Sequence, residues 1–250
     1  MQTEAFKPIS VKKPSSNPFM FRVRCMVDLQ LLTIVRPLRP AMARLDGNVL
    51  DVGAGESPWR EWLPPTARYQ GIDIGNAEEF GMKQGREGIT YYDGRTIPFP
   101  DASFDSAICI EVLEHVEDPD VVVREVARCL RHDATLLVTV PWSARRHHVP
   151  YDFHRFTRER LIRLFEANGF HAVEIAERGT DITAIASKLV VLSLRLAPTR
   201  SIAKSLWSLP LFIVTLPLTA GFVVAAHVAE LFGLGAKEDP LGYFVKATRR

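Results

Sequence analysis

The sequence predicts an α/β protein: a Rossmann-like sheet of seven mostly parallel strands, with helices on both faces and an apolar helical insertion before the last strand. Three observations lead to this prediction. Short apolar runs alternate with helical or loop segments from residue 47 to residue 176, a glycine turn follows the first run, and a long apolar segment precedes a final short run. Strands that recur with helical connections form a parallel sheet covered on both faces.

The strands are expected where the apolar runs lie, at residues 48–52, 69–73, 89–92, 106–110, 135–140, 171–175 and 243–247. Two connecting helices are also indicated. Residues 121–130 repeat apolar side chains at a 3.6-residue spacing, and residues 157–168 begin at a threonine that can cap the first turn. Asn168 and Gly169 are residue types that end a helix in a left-handed C-cap.

Composition favours one main domain in a reducing compartment. The chain has 250 residues, of which 47% are hydrophobic and 24% charged, so it can bury one substantial core. Its 3 cysteines form no closely spaced pair, and the first residues lack the apolar core of a secretory signal. We therefore expect a cytoplasmic protein. Its expected parts are an N-terminal arm with an apolar helix (1–40), a sheet-forming core (41–180), an apolar helical insertion (181–236) and the final strand (237–250).

Charge is distributed unevenly along the chain, although the formal net charge is only +2. Residues 1–40 and 181–250 are basic, whereas residues 41–180 are acidic. An acidic core is a poor candidate for following a nucleic-acid backbone, so no nucleic-acid partner is expected. Basic ends beside apolar segments favour contact with an anionic membrane surface, although ordinary solvated surface charge explains the same pattern.

The turn after the first strand, "VLDVGAGESPW" at residues 49–59, indicates a cofactor site. Gly53 and Gly55 let the backbone approach a ligand without a Cβ in the way. A dinucleotide turn has a third glycine where this chain has Pro58, which disfavours NAD. Asp73, at the end of the second strand, suits a pair of ribose hydroxyls, although NAD sites use the same device.

Four segments in order, "VLDVGAGESPW", "GIDI", "YYDGRTIPFPDASFDSAICIEVLEHVEDP" and "LLVTVPW", resemble the class I S-adenosylmethionine-dependent methyltransferases, in particular small-molecule enzymes with an "LEHV" element. The resemblance covers residues 47–176 and implies that the core binds S-adenosylmethionine, with the final strand inserted antiparallel beside the sixth. It places Asp51, Gly53 and Gly55 around the methionine part of the cofactor. It places Asp73 on the ribose, followed by Ile74, and Asp93 and Gly94 on the adenine. The resemblance also puts Glu111 and Val112 on the cofactor side of the pocket and His115 nearby, as a candidate catalytic base.

Residues 141–161, "PWSARRHHVPYDFHRFTRERL", follow the fifth strand and contain most of the candidate acceptor-binding residues. In one interpretation, His148 or His154 is a general base, and Arg145, Arg146 and Arg155 bind an acceptor anion together with Tyr151 and Asp152. In another, Asp152 and Arg155 pair to hold the loop while Tyr151, Phe153 and Phe156 anchor it. A metal site built from His147, His148, Asp152 and His154 is disfavoured because Pro150 breaks their register, so we expect no metal.

Residues 205–229 contain no Lys, Arg, Asp or Glu and are long enough to cross a bilayer. Because a strand must follow and return to the sheet, we instead expect a helical hairpin, with residues 183–234 resting on the cytoplasmic face of a membrane or covering an apolar substrate. A buried lid or a homodimer interface is the alternative. A second apolar helix, at residues 19–38 and ending at Pro37, is expected to pack against this hairpin.

The sequence therefore predicts an S-adenosylmethionine-dependent methyltransferase that O-methylates a small, glycan or lipid-linked acceptor. Departure of the neutral cofactor product needs no acid, so the protein must align the acceptor and, for a hydroxyl, remove its proton. Two other functions remain open. One is a catalytically inactive cofactor-binding scaffold, and the other is an NAD-type oxidoreductase, for which the sequence has no recognisable hydride-transfer residues.

Overall fold

The computed structural model describes residues 9–75, 87–197 and 202–250, with the side chains of residues 202–204 left out. Residues 1–8 of the predicted arm and residues 198–201 of the predicted insertion lie outside this part. Within it, one sheet has the order β3-β2-β1-β4-β5-β7-β6. The strands are β1 (Asn48–Val52), β2 (Arg68–Ile74), β3 (Ile89–Tyr92), β4 (Phe104–Ile110), β5 (Leu130–Pro141), β6 (Phe170–Arg178) and β7 (Gly242–Arg249).

Strands β1 to β5 are parallel, whereas β7 lies antiparallel between β5 and β6. The predicted α/β sheet and the antiparallel insertion of the last strand are thus confirmed. Every predicted strand lies inside an observed one, and the observed strands β5 and β6 are longer than predicted at both ends. Because five parallel strands end at one edge, the residues that follow them meet there.

Helices cover both faces of the sheet, as predicted. The helices are α1 (Pro18–Val27), α2 (Leu29–Met42), α3 (Pro119–Cys129), α4 (Arg158–Ala167), α5 (Asp181–Leu196) and α6 (Ile202–Phe232). One core joins α3 and α4 to the sheet through residues such as Val126, Leu164 and Phe165. A second core packs Leu38 and Met42 of α2 on the opposite face. Thr157 caps α4, since its hydroxyl accepts from the Arg160 N–H at 3.2 Å.

The predicted single helix at residues 19–38 is wrong in two respects. The chain breaks at Asp28, whose carboxylate accepts from the Leu31 N–H at 3.1 Å and so caps α2. The helix then continues through Pro37 to Met42. A proline inside a helix loses one backbone hydrogen bond, but Leu38 and Met42 are fully buried, and their burial stabilises the continuation.

Between β6 and β7 the chain forms the predicted helical hairpin. Helices α5 and α6 run antiparallel, because the Thr183 hydroxyl contacts Glu230 at 3.3 Å while Ser193 contacts Thr219 at 2.8 Å. The N-terminal helices pack against the hairpin, as expected. Leu29 shares a small core with Ala184 and Ala226, and His227 contacts the Met26 carbonyl at 2.8 Å.

One helix among the described residues, over residues 205–232, is long and apolar enough to cross a membrane, judged by length and composition alone. Only 11% of its most apolar window is buried in the chain. Trp207 is 84% exposed and Leu206 70%. The single chain therefore does not bury this helix as a lid, and its apolar side chains are available to a membrane or to a second copy.

Candidate active site

The glycine turn lies at the carboxyl end of β1. Gly53 and Gly55 both have positive φ angles, of 68° and 49°. The Gly53 and Ala54 N–H groups donate to the Ile72 carbonyl, each at 2.9 Å. A Cβ on Gly53 would lie 2.5 Å from the Val112 side chain. The turn therefore needs glycine both for its backbone conformation and for the close approach of Val112 from the end of β4.

Asp73, near the end of β2, is buried and faces this turn. Its Oδ2 accepts from the Gly55 N–H at 2.9 Å, and its Oδ1 accepts from the Ile74 N–H at 2.8 Å. A carboxylate offers about four lone-pair positions. These two backbone bonds hold the carboxylate in place at the carboxyl end of β2. A carboxylate at this position is the acceptor that a pair of ribose hydroxyls requires.

Asp51 lies inside β1 and is 2% exposed. The Tyr69 hydroxyl donates to its Oδ2 at 2.8 Å and lies 2.8 Å from the Ser57 hydroxyl. Burial raises the pKa of Asp51 to about 7; the nearby Asp73 charge also raises it, while the Tyr69 hydrogen bond lowers it. Asp51 thus positions the turn through Tyr69 and Ser57, two residues that the sequence argument did not select.

Asp93 and Gly94 follow β3. The Oδ1 atom of Asp93 accepts from the Arg95 and Thr96 N–H groups at 2.8 and 2.9 Å, and these bonds hold the pKa of the exposed carboxyl below its usual value. Gly94 has a φ of 77°, and a Cβ there would lie 3.4 Å from the Ile74 side chain. Both predicted adenine contacts therefore lie in one tight turn at the carboxyl edge, next to Ile74.

Glu111 and Val112 follow β4, as the prediction requires. Glu111 has a φ of 54°, which is strained for a residue with a side chain. Its carboxylate accepts from Arg178 Nη2 at 2.9 Å. Val112 packs toward Gly53 and closes the turn from the β4 side. Glu111 is thus paired with a buried residue at the end of β6.

Glu114 and Arg178 are buried ionisable residues that the sequence argument missed. Glu114 is completely buried, and neither of its carboxylate oxygens has a hydrogen-bond partner among the described residues. Burial, with the Glu111 charge second, raises the pKa of Glu114 well above its usual value. Arg178 is 2% exposed, its Nη2 also donates to the Val140 carbonyl at 3.0 Å, and burial lowers the pKa of its guanidinium.

Three histidine rings lie together beside Glu114. The centroid of His115 is 4.8 Å from that of His147 and 5.1 Å from that of His148. His115 Nδ1 lies 2.6 Å from the Tyr151 carbonyl, and its Nε2 lies 3.7 Å from Glu114 Oε1. Burial lowers the pKa of His115 to about 4, which keeps this imidazole neutral near pH 7. His148 has a φ of 53°, so strained backbone also occurs on this side of the site.

The remaining predicted acceptor residues line the same loop. Asp152 accepts two hydrogen bonds from Arg155, at 2.7 and 2.9 Å, and a third from the His147 N–H at 3.1 Å. The Arg155 guanidinium and the His147 backbone hold the pKa of Asp152 below its usual value, although partial burial opposes them. Asp152 and Arg155 thus form the ion pair of the second interpretation, in which they hold the loop, because their charged groups bind each other.

Other members of the loop have separate positions. The Arg145 side chain contacts the Arg146 carbonyl at 3.2 Å, and Arg146 itself is exposed. His154 is directed away from the histidine group, since its Nε2 lies 3.3 Å from the Glu117 carbonyl and its ring stacks near Phe156. Phe156 is buried, whereas Phe153 is 45% exposed. The expectation that both rings anchor the loop to the core is therefore confirmed for Phe156 and wrong for Phe153, whose ring is exposed to solvent.

The sequence matches to known proteins fall within the sheet-forming core of the chain. Residues 50–138 match the family described as "Methyltransferase domain". The chain is 32% identical over 111 residues to the uncharacterized methyltransferase YcgJ of Bacillus subtilis, covering 40% of this chain and 43% of that protein. It is 32% identical over 108 residues to a fatty-acid O-methyltransferase of Mycolicibacterium smegmatis, covering 40% of this chain and 39% of that one. The matches thus span less than half of these relatives.

Solved structures extend the likeness over the whole fold. A SAM-dependent methyltransferase from Archaeoglobus fulgidus superposes with a TM-score of 0.53 at 16% identity, covering 93% of this chain and 99% of that one. The [4+2]-cyclase SpnF superposes with a TM-score of 0.55 at 21% identity, covering 88% and 82%. Identities this low establish the shared fold and leave the reaction to be argued from the site.

The fold and the carboxyl-edge site define the class I methyltransferase architecture. The segment that matches the methyltransferase-domain family contains the glycine turn, Asp73, Asp93 and Glu111. This match, together with the fold shared with S-adenosylmethionine-dependent methyltransferases, implies S-adenosylmethionine as the cofactor. The site fits this cofactor chemically, because carboxylates at the ends of β1, β2, β3 and β4 complement a sulfonium cation.

Proposed function

We propose that the protein transfers the methyl group of S-adenosylmethionine to an oxygen of a small, glycan or lipid-linked acceptor. The observation that carries this proposal is Asp73. It is buried beside a turn that requires glycine at position 53, and the Gly55 and Ile74 N–H groups hold its carboxylate at the carboxyl end of β2. A carboxylate at this place in the fold suits the hydroxyls of a nucleoside sugar, and the adjoining carboxylates suit a cationic rather than a pyrophosphate-bearing ligand.

In this proposal Gly53 and Gly55 supply close backbone approach to the methionine part of the cofactor. Asp73 accepts from the ribose hydroxyls, while Asp93 and Gly94 receive the adenine beside Ile74. Val112 bounds the cavity from β4, and Asp51 and Glu111 add negative charge. S-adenosylmethionine supplies an electrophilic methyl group on a good leaving group. The chain's task is to hold the acceptor in line with that methyl group at near-attack distance.

A hydroxyl acceptor must also lose its proton. His115 and His148 are the better placed of the three predicted bases, because their rings lie together beside Glu114. His115 is neutral near pH 7 and can accept a proton, although its lowered pKa makes it a weak base. His154 is less suited, since its Nε2 is already directed at the Glu117 carbonyl. Arg145, Arg146 and Tyr151 remain the proposed contacts to the acceptor.

A lipid-linked acceptor is supported by the exposed hairpin. Its apolar side chains would cost free energy in water, at roughly 25 cal/mol for each Å² exposed, and a bilayer interface removes that cost. Lys188 on α5 and Arg22 on α1 are exposed nearby and can meet anionic headgroups. Relatives named for lipids point the same way: the fatty-acid O-methyltransferase, and a phosphatidylethanolamine N-methyltransferase of Cereibacter sphaeroides that is 28% identical over 101 residues. We therefore propose peripheral contact with the cytoplasmic face of a membrane.

The first experiment is a calorimetric titration of the full chain with S-adenosylhomocysteine, with NADH as the parallel ligand. Binding of the first alone is expected. Binding of NADH alone would overturn the methyltransferase proposal, and the single 3-10 turn at Arg60–Trp62 after the glycine turn, in place of a long helix, already disfavours a dinucleotide. Binding without methyl transfer to any hydroxylated lipid or glycan tested would favour the scaffold.

Membrane contact is tested by sedimentation with vesicles of phosphatidylcholine, with and without phosphatidylglycerol. Wild-type protein is expected in the pellet, more so with the anionic lipid. Trp207→Ser should reduce the bound fraction, whereas Ile9→Ser, an equally apolar-to-polar change at a residue 71% exposed outside the hairpin, should not. Equal binding of all three proteins would contradict the proposed surface. A dimer in solution with no vesicle binding would favour the homodimer alternative.

A further inference from the structure

Glu114, His115 and His147 each offer one ligand atom, and these atoms all lie within 4.8 Å of one another. We propose that the three side chains bind a divalent transition-metal ion, with zinc as the cation that the ligand set suits best. This set differs from the four residues that the sequence disfavours as metal ligands, all of which lie in one loop. Here Glu114 and His115 come from the segment after β4, and only His147 comes from the loop after β5.

The first support is the state of Glu114. Both carboxylate oxygens are buried and lack a hydrogen-bond partner among the described residues. Leaving a buried polar group unpaired costs free energy, and buried carboxylates are ordinarily hydrogen-bonded, ion-paired or bound to a metal. Arg155 and Arg178 act on Glu114 through their charges. Among the described residues, however, Arg155 donates to Asp152, and Arg178 donates to Glu111 and to the Val140 carbonyl. A metal ion would satisfy the Glu114 oxygens directly.

The second support is the orientation of the two imidazoles. Nδ1 of His115 lies 2.6 Å from the Tyr151 carbonyl, and Nδ1 of His147 lies 3.0 Å from the Arg145 carbonyl. A carbonyl can only accept, so each Nδ1 carries the proton and donates. The lone pair of each ring is then on Nε2. Metal-binding histidines use this arrangement, in which a backbone carbonyl fixes the tautomer and the ring orientation.

The ligand set points to zinc or a similar ion. Two imidazoles and one carboxylate form an open, three-ligand site of the kind that holds zinc with a further position for water or substrate. Hard cations such as Mg²⁺ prefer all-oxygen sites. His115 Nε2 and Glu114 Oε1 are 3.7 Å apart, close to the separation of about 3.3 Å that two ligands at tetrahedral zinc require. The widest pair needs to close by about 1.5 Å, which a small movement of the His147 loop can supply.

Two features of the surroundings agree with a cation. The Glu111 carboxylate acts on Glu114 through its charge, so a second acidic side chain lies close to the cluster. Val112, which packs against the glycine turn, is two residues before Glu114, so the site borders the cofactor cavity. A metal here would therefore lie on the acceptor side of that cavity. With the ion bound, His115 Nε2 is a ligand, and His148 remains as the proposed base. Metal binding itself does not depend on the proposed methyl transfer.

The test is a titration of chelator-treated full-length protein with Zn²⁺, repeated with Mg²⁺. Wild type is expected to bind one Zn²⁺ per chain and to bind Mg²⁺ much more weakly. His147→Ala and Glu114→Gln should each lower the zinc affinity at least tenfold. The control His171→Ala removes an exposed imidazole on β6, outside the cluster, and should leave zinc affinity unchanged.

Titration of every variant with S-adenosylhomocysteine reports whether the protein is folded and separates this proposal from the proposed function. If wild type binds zinc but not S-adenosylhomocysteine, the metal site is supported and the methyltransferase proposal is refuted. If wild type binds S-adenosylhomocysteine but not zinc, the methyltransferase proposal is supported and the metal site is refuted. Equal zinc affinity in wild type and His147→Ala would overturn the metal site. That comparison decides even where Glu114→Gln fails to fold, because His147 lies on a surface loop.

Discussion

Replacing Asp73 with asparagine tests the cofactor site most directly. The carboxylate already accepts the Gly55 and Ile74 N–H groups at 2.9 and 2.8 Å. In the proposed complex the ribose hydroxyls also donate to this carboxylate, each of whose two oxygens has two lone-pair positions. An amide offers one oxygen with two such positions, and its NH₂ group cannot accept from a backbone N–H. Asp73→Asn must therefore lose at least one bond to an ionised acceptor in the complex.

A hydrogen bond to a charged group contributes about 1.5 to 3 kcal/mol. We therefore expect S-adenosylhomocysteine to bind Asp73→Asn roughly 10- to 150-fold more weakly than wild type, measured by calorimetry. The ligand-free variant should also unfold at a lower temperature, because one buried backbone N–H near Gly55 loses its acceptor. Titration well below the unfolding transition separates the two effects.

Asp46→Asn is the matched control. Asp46 is exposed at the opposite end of β1, where its carboxylate accepts from the Gly47 N–H at 2.8 Å. The same chemical change there should leave the affinity for S-adenosylhomocysteine unaltered. Equal affinity of wild type and a folded Asp73→Asn protein would refute the assignment of the β2 carboxylate to the ribose.

Three further changes test neighbouring parts of the site. Gly53→Ala should abolish binding of S-adenosylhomocysteine, because the new Cβ would lie 2.5 Å from Val112 and because a φ of 68° costs a residue with a side chain about 1 to 2 kcal/mol. Adding Val112→Ala should restore binding in part, since this second change relieves the clash but not the backbone strain. Asp51, with its pKa raised to about 7, is neutral below that pH and charged above it. The ratio of affinities for cationic S-adenosylmethionine and neutral S-adenosylhomocysteine should therefore grow from about pH 6 to about pH 8 in wild type and should not change with pH in Asp51→Asn. A pH-independent ratio in wild type would contradict this role. Arg155→Lys loses the bidentate ion pair with Asp152 and should lower the free energy of unfolding by about 1 to 3 kcal/mol, while the affinity for S-adenosylhomocysteine stays unchanged. A free energy of unfolding equal to that of wild type would show that the pair does not hold the loop.

The sheet was largely predictable because each strand is a short apolar run that carries its own signal. The glycine turn was predictable for a related reason, since φ angles above zero at Gly53 and Gly55 leave few other residue types. The break at Asp28 was harder, because a single capping aspartate inside an apolar run looks like an interruption of one helix rather than the start of a second.

The buried charges could not be found in the same way. Glu111 and Arg178 are 67 positions apart, and their pairing exists only because β6 lies at the far side of β7 from β5. The histidine group likewise joins residue 115 to residue 147 across two strand ends. No local pattern marks such a pair. The signal that was available is the "LEHV" element itself, in which Glu114 and His115 lie between the apolar residues Leu113 and Val116, so that Glu114 is a candidate for burial.

The order of the strands also affects synthesis of the protein. Strand β7 occupies an interior place between β5 and β6, yet it follows both helices of the hairpin in the chain. A ribosome therefore releases the apolar hairpin before the strand that completes the sheet. During that interval β5 and β6 have unpaired edges, and the hairpin is the most apolar segment already in water. A membrane or chaperone that engages the hairpin at this stage would protect the nascent chain from aggregation until the last strand closes the sheet.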